Sequence, residues 1–405
     1  MSHGASLREG LPGTETRSRP LDTPAASMPA TDMLPIRRAA LWALLASKLL
    51  ASWGVRWDIQ WHVRIGRDSF WIPPHVMTYA GVSLVVLLSF GVLLWETYAA
   101  SVAGGTRRSG GTLRLLGLTG TRGFHVAAWG ISVTVLAAPI DDLWHRLFGL
   151  DVTLWSPPHL MGFLGGLLNT LGCLLIAQEV YPVPGPARLI ALTVSGAWLY
   201  GTLDRVLEPA PLVAYQYGGV RFYTYVILAA LVLPLSLVGT TRLTGRRGTP
   251  IVLLLVVAGS ALVGGQIARA GFAWLQPVSV VEGELVKDPT SPIALAHEIA
   301  RKNRTAPGES GSLLFLMAPL PAVLLVALDP RRRPVVATVG WAVPLFVIYG
   351  ATLARSPAFQ PMAPGAAETT IALALTVTAA VLGGFAACRL SELLAARASQ
   401  PSDRG

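Results

Sequence analysis

The sequence predicts an all-α integral membrane protein of about ten transmembrane helices arranged as helical hairpins, with both termini cytoplasmic. Three observations carry this expectation. Of the 405 residues, 52% are hydrophobic and only 13% are charged, a balance that an ordinary soluble domain of this size does not show. Apolar runs long enough to cross about 30 Å of hydrocarbon as helices recur from about residue 39 to about residue 390. The loops between them alternate in basic content, which sets the orientation.

Residues 1–36 are rich in Pro, Ser, Thr and Ala, lack apolar periodicity and are expected to form a disordered cytoplasmic tail. The first run, about 39–60, follows this polar leader and is too long for a cleaved signal, so it should act as an uncleaved anchor. Runs at about 75–98, 124–143 and 159–180 complete a first section, 37–180, of four spans. Six more follow in 181–390, at about 188–207, 221–241, 250–274, 312–329, 334–354 and 368–390, and leave 391–405 as a second cytoplasmic tail. Arg37 and Arg38 precede the first run, and the loops after even-numbered spans carry Arg107, Arg108, Arg114, Arg122, Arg188, Arg242, Arg246, Arg247 and Arg331 to Arg333. Those faces should be cytoplasmic, and the net charge of +10 then reflects topology, with the lipid bilayer as partner and no role for nucleic acid. Cys173 and Cys388 both fall inside expected spans, so neither a disulfide framework nor a thiolate metal site is expected.

Within the first section the chain repeats itself. WDIQWHVRIGRDSFWIPPH (57–75) recurs as DDLWHRLFGLDVTLWSPPH (141–159). Aligning His62 with His145 pairs Asp58 with Asp141, Trp61 with Trp144, Gly66 with Gly149 and Asp68 with Asp151. After a one-residue insertion, Trp71 pairs with Trp155, Pro73-Pro74-His75 with Pro157-Pro158-His159, and Gly81 with Gly165. An apolar background produces chance apolar matches readily, but not two copies of D-x3-H followed 13 or 14 residues later by a histidine after two prolines.

The spacing has a geometric consequence. Residues four apart share a helix face, so Asp58 points with His62 and Asp141 with His145. Paired prolines suit a chain entering a helix, where the missing N–H costs little, and they set His75 and His159 in the first turn of the returning helix. Each hairpin can thus present one carboxylate and two imidazoles at one point. Taken singly, an Asp or His at a helix end is a solvated head-group contact; the duplicated triad instead reads as a ligand set for a divalent metal, with copper, iron and zinc all open. Asp68 or Asp151 is placed to hydrogen-bond a ligand imidazole, Trp61, Trp71, Trp144 and Trp155 to limit water access, and Arg64 and Arg67 to pair with Asp68 or lipid phosphate.

At these residues the chain resembles the C subunit of the copper membrane monooxygenases, the particulate methane and ammonia monooxygenase family. The resemblance lies in Asp58 and His62 at a helix end, the Arg67-Asp68 pair in the loop, Pro73-Pro74-His75 entering the next helix, and Asp141, His145 and His159 within PPHLMGF. Asp141 stands where that family has an Asn-type ligand, and the likeness covers about residues 40–180. It implies copper at both triads, dioxygen-dependent hydroxylation of a small apolar substrate, further subunits of the monooxygenase type, an electron donor, and a bacterial inner membrane with the metal sites on its extracytoplasmic side.

Residues 181–390 repeat the hairpin rhythm without the ligands. Asp204 and Glu208 are again four apart at an outer helix end, but Tyr and Arg return in place of His, and Asp204 is expected to pair with Arg205 or Arg221. The longest outer loop, about 275–311, carries Glu282, Glu284, Asp288, His297 and Glu298 and could form a lid or docking surface. Within it SPIALAHEIARKNR reads as a short amphipathic helix, with His297-Glu298 as solvated surface because Arg301 stands where a zinc motif needs its second histidine.

Overall fold

Proline opens helix after helix in this chain, because the first turn of a helix has no use for its N–H. The computed structural model describes residues 32–66, 69–102, 111–148, 154–308 and 319–398, the side chains of His145, Glu284 and residues 396–398 excepted. The helices are α1 (Leu34–Ile65), α2 (Pro73–Val102), α3 (Arg122–Phe148), α4 (Pro157–Val180), α5 (Pro186–Val206), α6 (Ala210–Tyr217), α7 (Thr224–Val232), α8 (Pro234–Thr244), α9 (Thr249–Leu275), α10 (Val281–Lys287), α11 (Pro292–Asn303), α12 (Pro319–Ala327), α13 (Pro334–Arg355) and α14 (Ala366–Ala398).

Among the described residues seven helices are long and apolar enough to cross a membrane: α2, α3, α4, the run Gly219–Thr244 that contains α7 and α8, α9, α13 and α14. The expected spans at 39–60 and 188–207 are also long helices, α1 with 32 residues and α5 with 21. Lys48, Arg56, Asp58 and His62 on α1, and Asp204 and Arg205 on α5, make these two more polar than the rest. Of the expected span 312–329, residues 312–318 lie outside the described residues, as do the tail expected at 1–36 up to residue 31 and residues 399–405 of the tail expected at 391–405.

One short element is not helical. Thr112–Leu115 (β1) and Leu118–Thr121 (β2) pair antiparallel, inside what the sequence reading treats as a basic loop. Leu116 and Gly117 join the strands with φ of 50° and 83°, both positive, as the tight hairpin turn matching strand twist requires. The hairpin packs on α2, where Thr119 N donates to Thr97 Oγ1 at 2.7 Å.

The duplication seen in the sequence is a duplication of packing. α1 packs along α2, and α3 along α4, as antiparallel pairs. A Cβ on Gly81 would lie 2.6 Å from Ala51 N, and one on Gly165 would lie 2.5 Å from Thr134 N. Ala51 and Thr134 are equivalent under the same alignment that pairs the glycines. One turn nearer the loop the small residue changes sides: Gly54 packs on Thr78 in the first hairpin, and Gly162 on Ala137 in the second. Close backbone approach, needing one small residue per crossing on either helix, is what the two copies share. Gly165→Ala is therefore expected to cost about 1–3 kcal/mol by overpacking. The adjacent Gly166, with nothing within 4 Å of its would-be Cβ, should accept Ala without loss. Thermal unfolding of the two variants in detergent separates them.

At the end of the bundle formed by the N-terminus of α1, the arginines of the basic loops are tied to helix ends. Arg38 Nε donates to Val180 O at 3.1 Å and Arg188 Nη1 to Tyr181 O at 2.7 Å, supplying donors to the C-terminal carbonyls of α4. Glu179 accepts from Gly123 N at 2.9 Å and Thr121 Oγ1 at 2.6 Å and so caps the start of α3. Between α12 and α13, Arg331 donates to both oxygens of Asp329 at 2.8 Å, which holds the Asp329 carboxyl down at about 2. Because the folded value is depressed, the stability from this pair is complete above the unfolded value of 3.8 and is lost as pH falls through about 2. Asp329→Asn should flatten the thermal midpoint over that window.

Candidate metal centre

The first hairpin brings its three predicted ligands together. Asp58 and His62 stand one turn apart near the end of α1, and His75 is the third residue of α2, directly after the two prolines that start it. Asp58 Oδ1 lies 3.5 Å from His62 Nε2 and 3.1 Å from His75 Nε2, and one ligand atom from each residue falls within 4.8 Å of the others. The two imidazole rings are tilted by 51° with centroids 6.0 Å apart, so they face a common point without stacking. All three side chains are about one-fifth exposed, open enough to admit an ion or water.

The donor set fits a metal on its own geometry. Ligand atoms held roughly 2.0–2.2 Å from one ion stand about 3–3.5 Å from one another in tetrahedral or tetragonal arrangements, which is the spacing around Asp58 Oδ1. That oxygen is buried and makes no hydrogen bond among the described residues, although two ring nitrogens lie within 3.5 Å. A buried carboxylate oxygen without a donor is costly unless something else compensates it. His75 Nδ1 lies 3.0 Å from Ser69 O, and a carbonyl can only accept, so Nδ1 donates there and Nε2 faces Asp58.

The second hairpin repeats part of this. Asp141 Oδ1 on α3 lies 3.5 Å from His159 Nε2, the third residue of α4. His145 occupies the turn of α3 after Asp141, but its side chain is outside the described residues, as are Arg67, Asp68 and Asp151 entirely.

The tryptophans divide between packing and exposure. Trp61 is buried, stacks on Phe272 of α9 at 5.7 Å and meets Trp57 edge-on, so its contacts join α1 to α9. Trp144 lies 4.4 Å from Phe148, one turn further along α3. Trp155 donates through Nε1 to Val206 O at 2.7 Å and pins its loop to the end of α5, whereas its counterpart Trp71 is 73% exposed. The copies differ because the second packs against α5. Arg64 lies over the Phe272 ring at 4.6 Å, where the sequence reading looked to Asp68 or lipid phosphate.

Two further expectations are corrected. Asp204 has the expected Arg205 as an electrostatic neighbour but accepts its hydrogen bond from Tyr225 on α7, at 2.8 Å, while Arg221, the other expected partner, rests over the Tyr217 ring at 4.7 Å. The tyrosine reaches Asp204 because α6 and α7 fold back beside the end of α5. His297, expected as solvated surface, is half-buried and bonds through Nε2 to Val63 O of α1 at 2.7 Å. The helix expected around it is present as α11, with Ser291 Oγ accepting from Ala294 N at its start. Polar groups also pair inside the bundle outside any motif: Lys48 Nζ donates to Asn169 Oδ1 of α4 at 2.9 Å. A lone charge in an apolar run, faced by a lone amide in another, is the signal that marks such a pair. Cys173 and Cys388 are both free thiols.

Searches against protein-family models, curated proteins and solved structures find no match to this chain.

Proposed function

We propose that this chain is a membrane metalloprotein in which Asp58, His62 and His75 hold one ion and Asp141, His145 and His159 a second. We further propose that the metal is copper and the protein a subunit of a monooxygenase-type oxidoreductase hydroxylating a small apolar substrate with dioxygen. The convergence of Asp58 Oδ1 with the two Nε2 atoms is the observation that supports metal binding. The sequence resemblance supports copper and the reaction class. Bound copper would supply the one-electron chemistry on which such hydroxylation depends.

The chain's own residues have definable parts in this reading. The Asp58 carboxylate balances the charge of the ion, Ser69 O fixes the His75 tautomer, and apolar helix faces receive the substrate. Electrons come from a partner subunit or a quinol. The basic loops, which include Arg188, Arg242 and Arg331, belong on the cytoplasmic side by the positive-inside rule, with both termini, and the triads then face outward across a bacterial inner membrane.

The alternative is a metal-handling protein without catalysis, a loading factor or a permease. A permease needs a route inward that welcomes a cation. Below the triad α1 carries Arg56 and Lys48, both basic, and like charges in a low-dielectric interior repel a metal ion strongly. This favours a fixed site over a pathway.

The deciding experiment is metal content by mass spectrometry, with EPR, on purified detergent-solubilised protein. The wild type is compared with His62→Ala/His75→Ala and His145→Ala/His159→Ala. About two equivalents of copper, falling by one in each double variant, is the expected result. Equal metal content in all three proteins removes the metal reading and the enzyme reading with it.

A further inference from the structure

The end of α1 that carries the first triad is finished by a segment more than two hundred residues away. The last four carbonyls of any helix lack intrahelical donors. In α1 they belong to His62, Val63, Arg64 and Ile65. His62 O receives Gly66 N at 3.2 Å, as Gly66 turns into the left-handed region at φ 72°. The other three receive donors from the outer segment: Val63 O from His297 Nε2 at 2.7 Å, Arg64 O from Ser279 Oγ at 2.8 Å, and Ile65 O from Val280 N at 2.8 Å. The fit is close, since a Cβ on Gly66 would sit 2.6 Å from Val281 Cα.

We propose that Ser279–Asn303 is a clamp on the ligand-bearing turn of α1, with His297 as its positioning residue, and that metal affinity at Asp58, His62 and His75 depends on the clamp being seated. The inference rests on the metal reading above. His62 lies in the clamped turn and Asp58 one turn earlier, while His75 belongs to α2, so the clamp sets the register between two ligands and the third. Metal sites tolerate errors of only about 0.2 Å in ligand position. Loss of a partner that orients a ligand typically costs roughly 10- to 100-fold in affinity. Linkage is reciprocal, so an ion at the triad seats the segment by the factor that the seated segment adds to metal affinity.

The test uses full-length protein carrying His145→Ala/His159→Ala, so that only the first triad reports. Copper affinity is measured by competition with a chelator, and backbone hydrogen exchange is followed over 62–66 and 279–303 with and without copper. His297→Ala is expected to weaken copper binding about 10- to 100-fold and to speed exchange in both segments, metal or no metal. His297→Gln, whose amide can donate where Nε2 did, should restore affinity to within about threefold. Ser279→Ala, removing only the donor to Arg64 O, should fall between them, and it stands in if His297→Ala does not fold. Parental affinity in His297→Ala or, failing that variant, in Ser279→Ala overturns the clamp alone. No copper binding in the parent overturns the metal reading, and the linkage falls with it.

Discussion

Replacing Asp58 by Ala is expected to empty the first hairpin of metal while the bundle stays folded. Asp58 is the one residue whose ligand atom approaches both imidazoles, at 3.5 Å and 3.1 Å, so its loss removes the anion and the vertex shared by the set. Loss of an outer partner alone costs roughly 10- to 100-fold in metal affinity, and loss of this ligand should exceed that. The fold should survive because Asp58 Oδ1 makes no hydrogen bond among the described residues, and the packing of α1 on α2 runs through Gly54, Gly81 and Ala51 instead. A thermal scan with and without chelator checks both halves. At metal concentrations a hundredfold above Kd, binding stabilises the native state by roughly 2.7 kcal/mol. In a background whose second triad has been removed, stripping the metal should lower the midpoint when Asp58 is present and leave the Asp58→Ala midpoint where it was. An equal chelator response in the two would sink the assignment of Asp58 as a ligand.

Replacing Glu96 by Ala should destabilise the protein more than any other single change at the opposite end of the bundle. Arg37 donates through Nε and Nη2 to the two oxygens of Glu96 at 2.7 Å and 2.9 Å, with the side chains 11% and 3% exposed. Breaking such a pair from one side leaves a buried charge uncompensated and costs about 3–5 kcal/mol. Removing both charges has a different result, because the pair spends most of its attraction on desolvation. Arg37→Met/Glu96→Leu should therefore recover to within about 1 kcal/mol of wild type or exceed it. Unfolding of the two single variants and the double in detergent forms the cycle. Single variants as stable as the double would mean that water reaches the pair.

Several features of the fold were legible before any coordinate. The membrane class follows from composition, and the starts of α2 and α4 follow from Pro-Pro, whose positional meaning is local. The equivalence of Gly81 and Gly165 was visible as an alignment, and their packing against Ala51 and Thr134 gives that alignment a reason. The helix from Pro292 to Asn303 is readable from its amphipathic period. The hairpin Thr112–Thr121 carries alternation and a Leu-Gly turn, but its basic residues equally suit a cytoplasmic loop, so the sequence does not separate the two. The role of His297 is hidden for a different cause. Its partner, the Val63 carbonyl, is a backbone group 234 residues distant, and no side-chain pattern advertises an unsatisfied carbonyl. Asp204 keeps the electrostatic company of Arg205, as expected, but its hydrogen bond comes from Tyr225, which only the fold-back of α6 and α7 brings within reach.

The sequence by itself determined the helical membrane class, the duplicated hairpin, and the residues Asp58, His62 and His75 as a set, because periodicity and spacing are local properties of a chain. The tertiary structure alone decided that the three ligand atoms meet within 4.8 Å, that Ser69 orients His75, and that the second half of the chain closes the end of α1. These depend on which surfaces pack, and packing is settled by the sum of many weak contacts and by the demand that every buried polar group find a partner.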